Sequence, residues 1–171
     1  MADTIKAQDS LLKDFLLDLS SEEGRTGSGA AGAIALALAA ACAAKAAAIT
    51  LKHEPANAPL RQAHEQLLKY IDAAVEGSDD DTQRFRKFLR SKSTQAAQRV
   101  ISADEKLLGL VNEVADILQA LDPQILQTVA GDLVAARALS DAARAIQVEN
   151  ITEMRSAQTL DKGKETSTRE S

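Results

Sequence analysis

AAGAIALALAAACAAKAAAITL, residues 30–51, is the stretch on which the reading of this chain turns. Ala30 to Ala44 carries no charge, and Lys45 then interrupts it. A membrane span needs about 20 predominantly apolar residues, and Ala is only weakly lipophilic. Ala is, however, the strongest helix former, and its methyl side chain lets neighbouring helices approach closely. The stretch therefore reads as a helix buried on nearly all sides of a helical domain.

Outward from this helix, the flanking sequence breaks and resumes in the same period. Upstream lies SSEEGRTGSG, residues 20–29, whose three Gly and three Ser stop any helix. Before it, residues 4–19 give an amphipathic helix with Leu11, Leu12, Phe15, Leu16 and Leu19 on one stripe. Downstream, KHEPANAP, residues 52–59, holds two of the three prolines and reads as a turn. Helical period returns from Leu60 to about Val75, and Gly77-Ser78 predicts a break. Asp79, Asp80 and Asp81 would then start a further helix through Phe85, Phe88 and Leu89, as suits the positive end of a helix dipole. A long helix follows from about Thr94 to Leu121. Asp122-Pro123 predicts a stop and restart, with Pro in the first turn of a helix from Gln124 to about Met154. Residues 1–155 thus form one helical domain, and 156–171 read as a polar, disordered tail. The expected fold is all-α, an up-and-down bundle of five to six helices.

Composition agrees. The 171 residues are 45% apolar but only 2% aromatic, and about a fifth of them are Ala, which disfavours a sheet-rich fold. Ala buries little area, so pairing of two copies is an expected supplement to the core. A net charge of −5 argues against nucleic acid as the main partner. The start MADTIKAQDSLLKDF lacks the basic-then-apolar layout of a signal, and no membrane partner is expected. One cysteine, Cys42, excludes an internal disulfide and fits a reducing cytoplasm.

Few residues announce chemistry. Arg25-Thr26-Gly27-Ser28-Gly29-Ala30-Ala31-Gly32 feeds a glycine-rich loop into the buried helix, where free N–H groups and small residues admit close approach of a ligand. It lacks the Lys-Ser/Thr pair of a phosphate-binding loop and also reads as a simple inter-helix connection. Lys45 places an amine in mid-helix, which is costly unless it snorkels, is paired or faces a site; it is a candidate acid/base group, but a structural ion pair or a surface-facing stem is the reading its position favours. The run Asp79-Asp80-Asp81 could supply a general acid or base, or bind a cation with Ser78, but reads first as a charged helix start. His53 and His64 have no visible partner, so no metal site is expected, and no Cys/His or Ser/His/Asp arrangement supports a nucleophile.

The order of these features resembles the formimidoyltetrahydrofolate cyclodeaminase and methenyltetrahydrofolate cyclohydrolase family over roughly residues 10–153. Phe15-Leu16 stands where that family has a Phe-Leu pair in its first helix. Residues 24–30 stand in the place of its Pro-Thr-Pro-Gly-Gly-Gly-Ser loop, and Ile49-Thr50 closes the Ala helix as its Leu-Thr does. Asp81 and Phe85 match its Asp four residues before Phe. Asp122-Pro123, Ala130-Gly131 and Gln147-Val148 echo its Asn-Pro, Ala-Gly and Asn-Val. The departures are the loss of both loop prolines (Gly24 and Thr26), Ser28 for the middle glycine, Thr128-Val129 for a Ser-Asp pair, and a shorter segment between Phe88 and Ser93.

The resemblance implies a homodimer binding a tetrahydrofolate derivative, without a metal, where the glycine loop meets the partner. Gly27, Ser28, Gly29, Thr50 and Thr128 would bind substrate; Asp81 and Lys45 would be catalytic. The chemistry is hydrolysis or deamination at a one-carbon unit bridging two pterin nitrogens. The eroded motifs also fit a non-catalytic relative, kept as an accessory or assembly subunit of a larger enzyme complex. A third reading is an unrelated bundle whose Ala content imitates the family.

Overall fold

The computed structural model describes residues 11–22 and 26–167, with side chains for 12–22 and 26–158. Every regular element among the described residues is helical: α1 (Leu11–Ser20), α2 (Ser28–Leu51), α3 (Ala58–Ser91), α4 (Thr94–Leu121) and α5 (Ala130–Ser167). A 3-10 turn, Gln127–Val129, precedes α5. The expected loop residues Gly24 and Arg25, and the first turns of the expected N-terminal helix, lie outside the described residues.

Helices α2 to α5 run up, down, up and down. Each packs against the next, and α5 closes the ring against α2. The Ala helix is the column on which the core is built. Ala33, Leu36, Ala40, Ala43 and Ala47 of α2 meet Leu60 and Leu67 of α3, Val111 and Val114 of α4, and Leu133 and Ala136 of α5. Methyl side chains let α2 seat closely between α3 and α5, so burial comes from near approach and not from bulk. By length and composition α2 could cross a membrane, yet half of it is buried by its neighbours here.

Local chemistry sets the ends. Asn57 caps α3 by accepting the Leu60 N–H at 3.0 Å, with Pro59 in the first turn. Ser93 caps α4 through the Ala96 N–H. Between them Lys92 takes a left-handed conformation at φ 45°, which lets two long helices join across two residues.

Three boundaries differ from the sequence reading. The break predicted at Gly77-Ser78 does not occur: α3 is continuous across both residues. A helix-interior Gly costs only about 1 kcal/mol against Ala, and α3 packs on both α2 and α4. At the second boundary, α5 starts at Ala130 and not at Gln124, so Pro123 lies in the connecting turn. The Thr50 hydroxyl accepts the Leu126 N–H at 3.3 Å and holds that segment out of helix. The polar stretch expected to form a tail begins inside α5, which continues to Ser167.

Candidate functional site

Helices α3, α4 and α5 run past the point where α2 begins. The column that α2 would otherwise fill is a crevice beneath Gly27, Ser28 and Gly29, floored by Phe85, Val100 and Met154. It is small, about 90 Å³, and two carboxylates, Asp81 and Asp104, form its wall. The same two residues also line a larger cavity of about 490 Å³ between α3 and α4. The pair therefore stands between two chambers.

Asp81 comes from the C-terminal third of α3 and is 8% exposed. Its carboxylate lies directly on the start of α2: a Cβ at Gly29 would fall 2.6 Å from Asp81 Oδ2. It accepts the Ala30 N–H, one of the donors left free at a helix N-terminus. Glycine is needed here for proximity alone, since no glycine among the described residues has a positive φ. Burial pushes the Asp81 carboxyl above its usual range, and the Ala30 N–H and the Arg84 guanidinium pull it partly back. Arg84 itself bonds Asp80 at 2.6 Å.

Asp104 faces Asp81 from α4 and is 3% exposed. Burial first, and then the neighbouring Asp81 charge, push its carboxyl up to about 7, with Arg84 acting against them. Two like charges in one poorly solvated wall cannot both ionise easily. Sequence reasoning passed over Asp104, although the signal was present. It sits among Ala97, Val100, Ile101, Leu107 and Val111 at helical spacing, a carboxylate on an otherwise apolar buried stripe.

The α5 side of the crevice is amide-rich. Gln147, fully buried, donates to the Gly29 carbonyl at 3.2 Å and leaves no room for a Cβ at Gly32. Its Oε1 has no hydrogen-bond partner. Ser28 Oγ donates to Asn150 Oδ1 at 2.7 Å. These contacts fasten the glycine segment to α5. From the other side, the Thr26 N–H donates to Asp18 of α1 at 2.9 Å.

The residues proposed from sequence separate into two groups. Gly27, Ser28, Gly29 and Asp81 meet at one end of α2. Thr50 lies 21 residues along the same helix, about 31 Å away at 1.5 Å per residue. It is buried and its hydroxyl donates to Ala46 O while accepting from Leu126. Thr128 lies exposed in the 3-10 turn nearby. Lys45, about 24 Å along α2 from Gly29, is 62% exposed and pairs with Asp132 at 2.9 Å. Within one chain, Lys45, Thr50 and Thr128 do not reach the Asp81 crevice.

Among the described residues, no three His, Cys, Asp or Glu side chains gather as a metal site would require. The crevice is therefore an acid-walled, glycine-roofed pocket with an apolar floor.

Comparison with known proteins agrees with this architecture. The crystal structure of formiminotetrahydrofolate cyclodeaminase from Thermotoga maritima superposes with a TM-score of 0.81 at 19% identity, covering 92% of this chain and 86% of that one. That likeness is one of fold. No curated protein matches the chain in sequence. The family model for formiminotransferase-cyclodeaminase matches residues 11–153, which take in all of α1 to α4 and the α5 segment that carries Gln147 and Asn150. The chain belongs to the formiminotransferase-cyclodeaminase family.

Proposed function

We propose that this protein acts on a tetrahydrofolate derivative, hydrolysing or deaminating a methenyl or formimidoyl unit carried on the pterin. The observation that carries this reading is Asp81: a buried carboxylate held on the N-terminus of α2, at the mouth of a pocket with an apolar floor. A methenyl bridge and a protonated formimidoyl group are both cationic. A fixed carboxylate in a poorly solvated wall stabilises such a cation far better than one in water does. Phe85, Val100 and Met154 offer a face for the flat ring. The 490 Å³ chamber on the other side of the carboxylates is in the range of small-molecule sites and has room for the body of the ligand.

The same reading takes the working unit to be a homodimer in the cytoplasm. The exposed side of α2 carries Ala31, Ile34, Leu38 and Ala41 before Lys45, and Leu38 is 47% exposed. On α1, Leu12, Leu16 and Leu17 are exposed as well. Pairing two copies with their α2 helices antiparallel would carry the partner's Thr50, Thr128 and Lys45 towards Gly27–Gly29. The two residue groups that one chain keeps apart would then share a site.

A second reading has one observation in its favour. Thr50 and Lys45 are already engaged in structural bonds, as expected of a subunit that kept the fold, lost turnover and serves a larger complex.

Isothermal titration of the purified chain with methenyl- and 5-formyltetrahydrofolate tests the first reading, with turnover followed by loss of the methenyl chromophore. Binding with turnover supports the enzyme. No heat at hundreds of micromolar ligand overturns the folate reading, and a stoichiometric co-purifying protein without turnover supports the accessory subunit.

A further inference from the structure

Asp104 differs from Asp81 in what holds it. Asp81 accepts the Ala30 N–H and is fixed against Gly29. No hydrogen bond or ion pair among the described residues engages the Asp104 carboxyl, although its residue is 3% exposed and lines both chambers. A carboxylate on so little exposed a residue, with no protein partner and open only to the two chambers it lines, is placed for use by a ligand. Its position across the wall from Asp81 lets one bound molecule touch both.

We propose that Asp104 is the proton carrier of the reaction at this site, taking a proton from the attacking nitrogen of the substrate and returning it to the departing amine. This rests on the folate reading above. In the deamination of a formimidoyl group, the arylamine nitrogen of the substrate attacks the amidine carbon. A carbon–nitrogen bond forms and the amidine double bond becomes single. The arylamine nitrogen, now cationic, releases its proton to the Asp104 carboxylate. Asp104 then delivers that proton to the amino group, the old carbon–nitrogen bond breaks, and ammonia leaves with its electron pair. The methenyl bridge keeps the single positive charge with which the substrate arrived. One carboxyl, used twice, balances the step without an external acid or base, and Asp81 remains ionised beside the cation throughout.

The surroundings suit this division. The charged groups sharing the two chambers with Asp104 are Glu76, Asp80, Asp81 and Arg84 of α3, Glu153 of α5, and Arg99 and Lys106 of α4 itself. The α2 side contributes only Gly27, Ser28 and Gly29. Burial and Asp81 raise the Asp104 carboxyl to about 7, where it gives and takes a proton with equal ease. Asp81 has a backbone donor and is the better anion of the two.

The test compares the full chain with its Asp104→Asn and Asp104→Glu variants, using 5-formimidoyltetrahydrofolate. The expected result is binding by Asp104→Asn within a few-fold of the unaltered chain, with kcat lower by about 100-fold or more. The acid limb of kcat/KM near pH 7 disappears in Asp104→Asn and returns, shifted, in Asp104→Glu with part of the rate. Should Asp104→Asn fail to fold, the position of the limb in Asp104→Glu decides: a shifted limb supports the proposal and an unmoved one overturns it. Unchanged kcat and limb in Asp104→Asn overturn it, as does an equal loss of binding and rate, which would make Asp104 an anchor. Folate binding without turnover by the unaltered chain overturns the proton role alone, whereas no folate binding removes the folate reading as well.

Discussion

Gly29 and Gly27 stand two residues apart and answer to different physics. At Gly29 a Cβ would collide with the Asp81 carboxyl, whereas at Gly27 nothing lies within 4 Å. Gly29→Ala is expected to destabilise the fold by about 1–3 kcal/mol through overpacking and to displace Asp81; Gly27→Ala should leave both stability and ligand affinity nearly unchanged. Thermal melts and folate titrations of the two variants check this, and equal effects would show that the segment is only a tether. Asp104 gives a pH prediction. The folded chain raises this carboxyl from 3.8 to about 7 and so holds a proton there that the unfolded chain has released. Stability from this group is full below about pH 4 and lost as the pH rises through about 7. Asp104→Asn removes the burial of a charge, so it is expected to stabilise the protein at pH 8 by on the order of 2–4 kcal/mol and much less at pH 5. Denaturant titrations at the two pH values measure the difference. Asp81 and the glycine segment were readable as candidates from their residue types, but the contact between them was not. Asp104 was readable only as a misfit on an apolar stripe, because burial of a carboxylate shows its importance only when its neighbours are known.

At the scale of the helices, α3 departs most from what its residues suggest. Gly77-Ser78 followed by three Asp residues has the chemistry of a break and an N-cap. Packing of α3 between α2 and α4 outweighs a local penalty near 1 kcal/mol, and the helix stays whole. Continuity matters for the site, because it carries Asp81 inward, to the buried side of the helix, where a break would have left it at an exposed first turn. Gly77→Ala is therefore expected to stabilise the chain by about 0.5–1 kcal/mol, since the added Cβ meets Leu107 Cδ1 at an ordinary 3.7 Å. Loss of stability in a denaturant titration would argue for a break in solution. The connection before α5 makes the complementary point. Pro123 permits a helix start, yet the bond from Leu126 N–H to Thr50 delays it to Ala130.

Across the whole molecule, the feature that remains open is the outward face of α2. A helix of small apolar residues, packed on α3 and α5, still shows Leu38 to solvent beside Ala41. This face is the one the proposed pairing would cover. On the proposed pairing, the unaltered protein is expected to sediment as a dimer and Leu38→Asp as a monomer in sedimentation velocity, with weaker folate affinity in the variant. A monomer in the unaltered protein at tens of micromolar would rule out the paired site.

What the residues settled by themselves is the architecture. Helical period, the Ala run and the capping residues Asn57 and Ser93 act within a few residues of one another, and their effects can be added along the chain. What only the folded chain decided is which side chains share a wall. Asp81 and Asp104 lie 23 residues apart in sequence and meet because two long antiparallel helices bring them level; Thr50 and Gly29, on one helix, are held about 31 Å apart by the rise of that helix. Proximity between elements depends on register and packing, which no local pattern encodes.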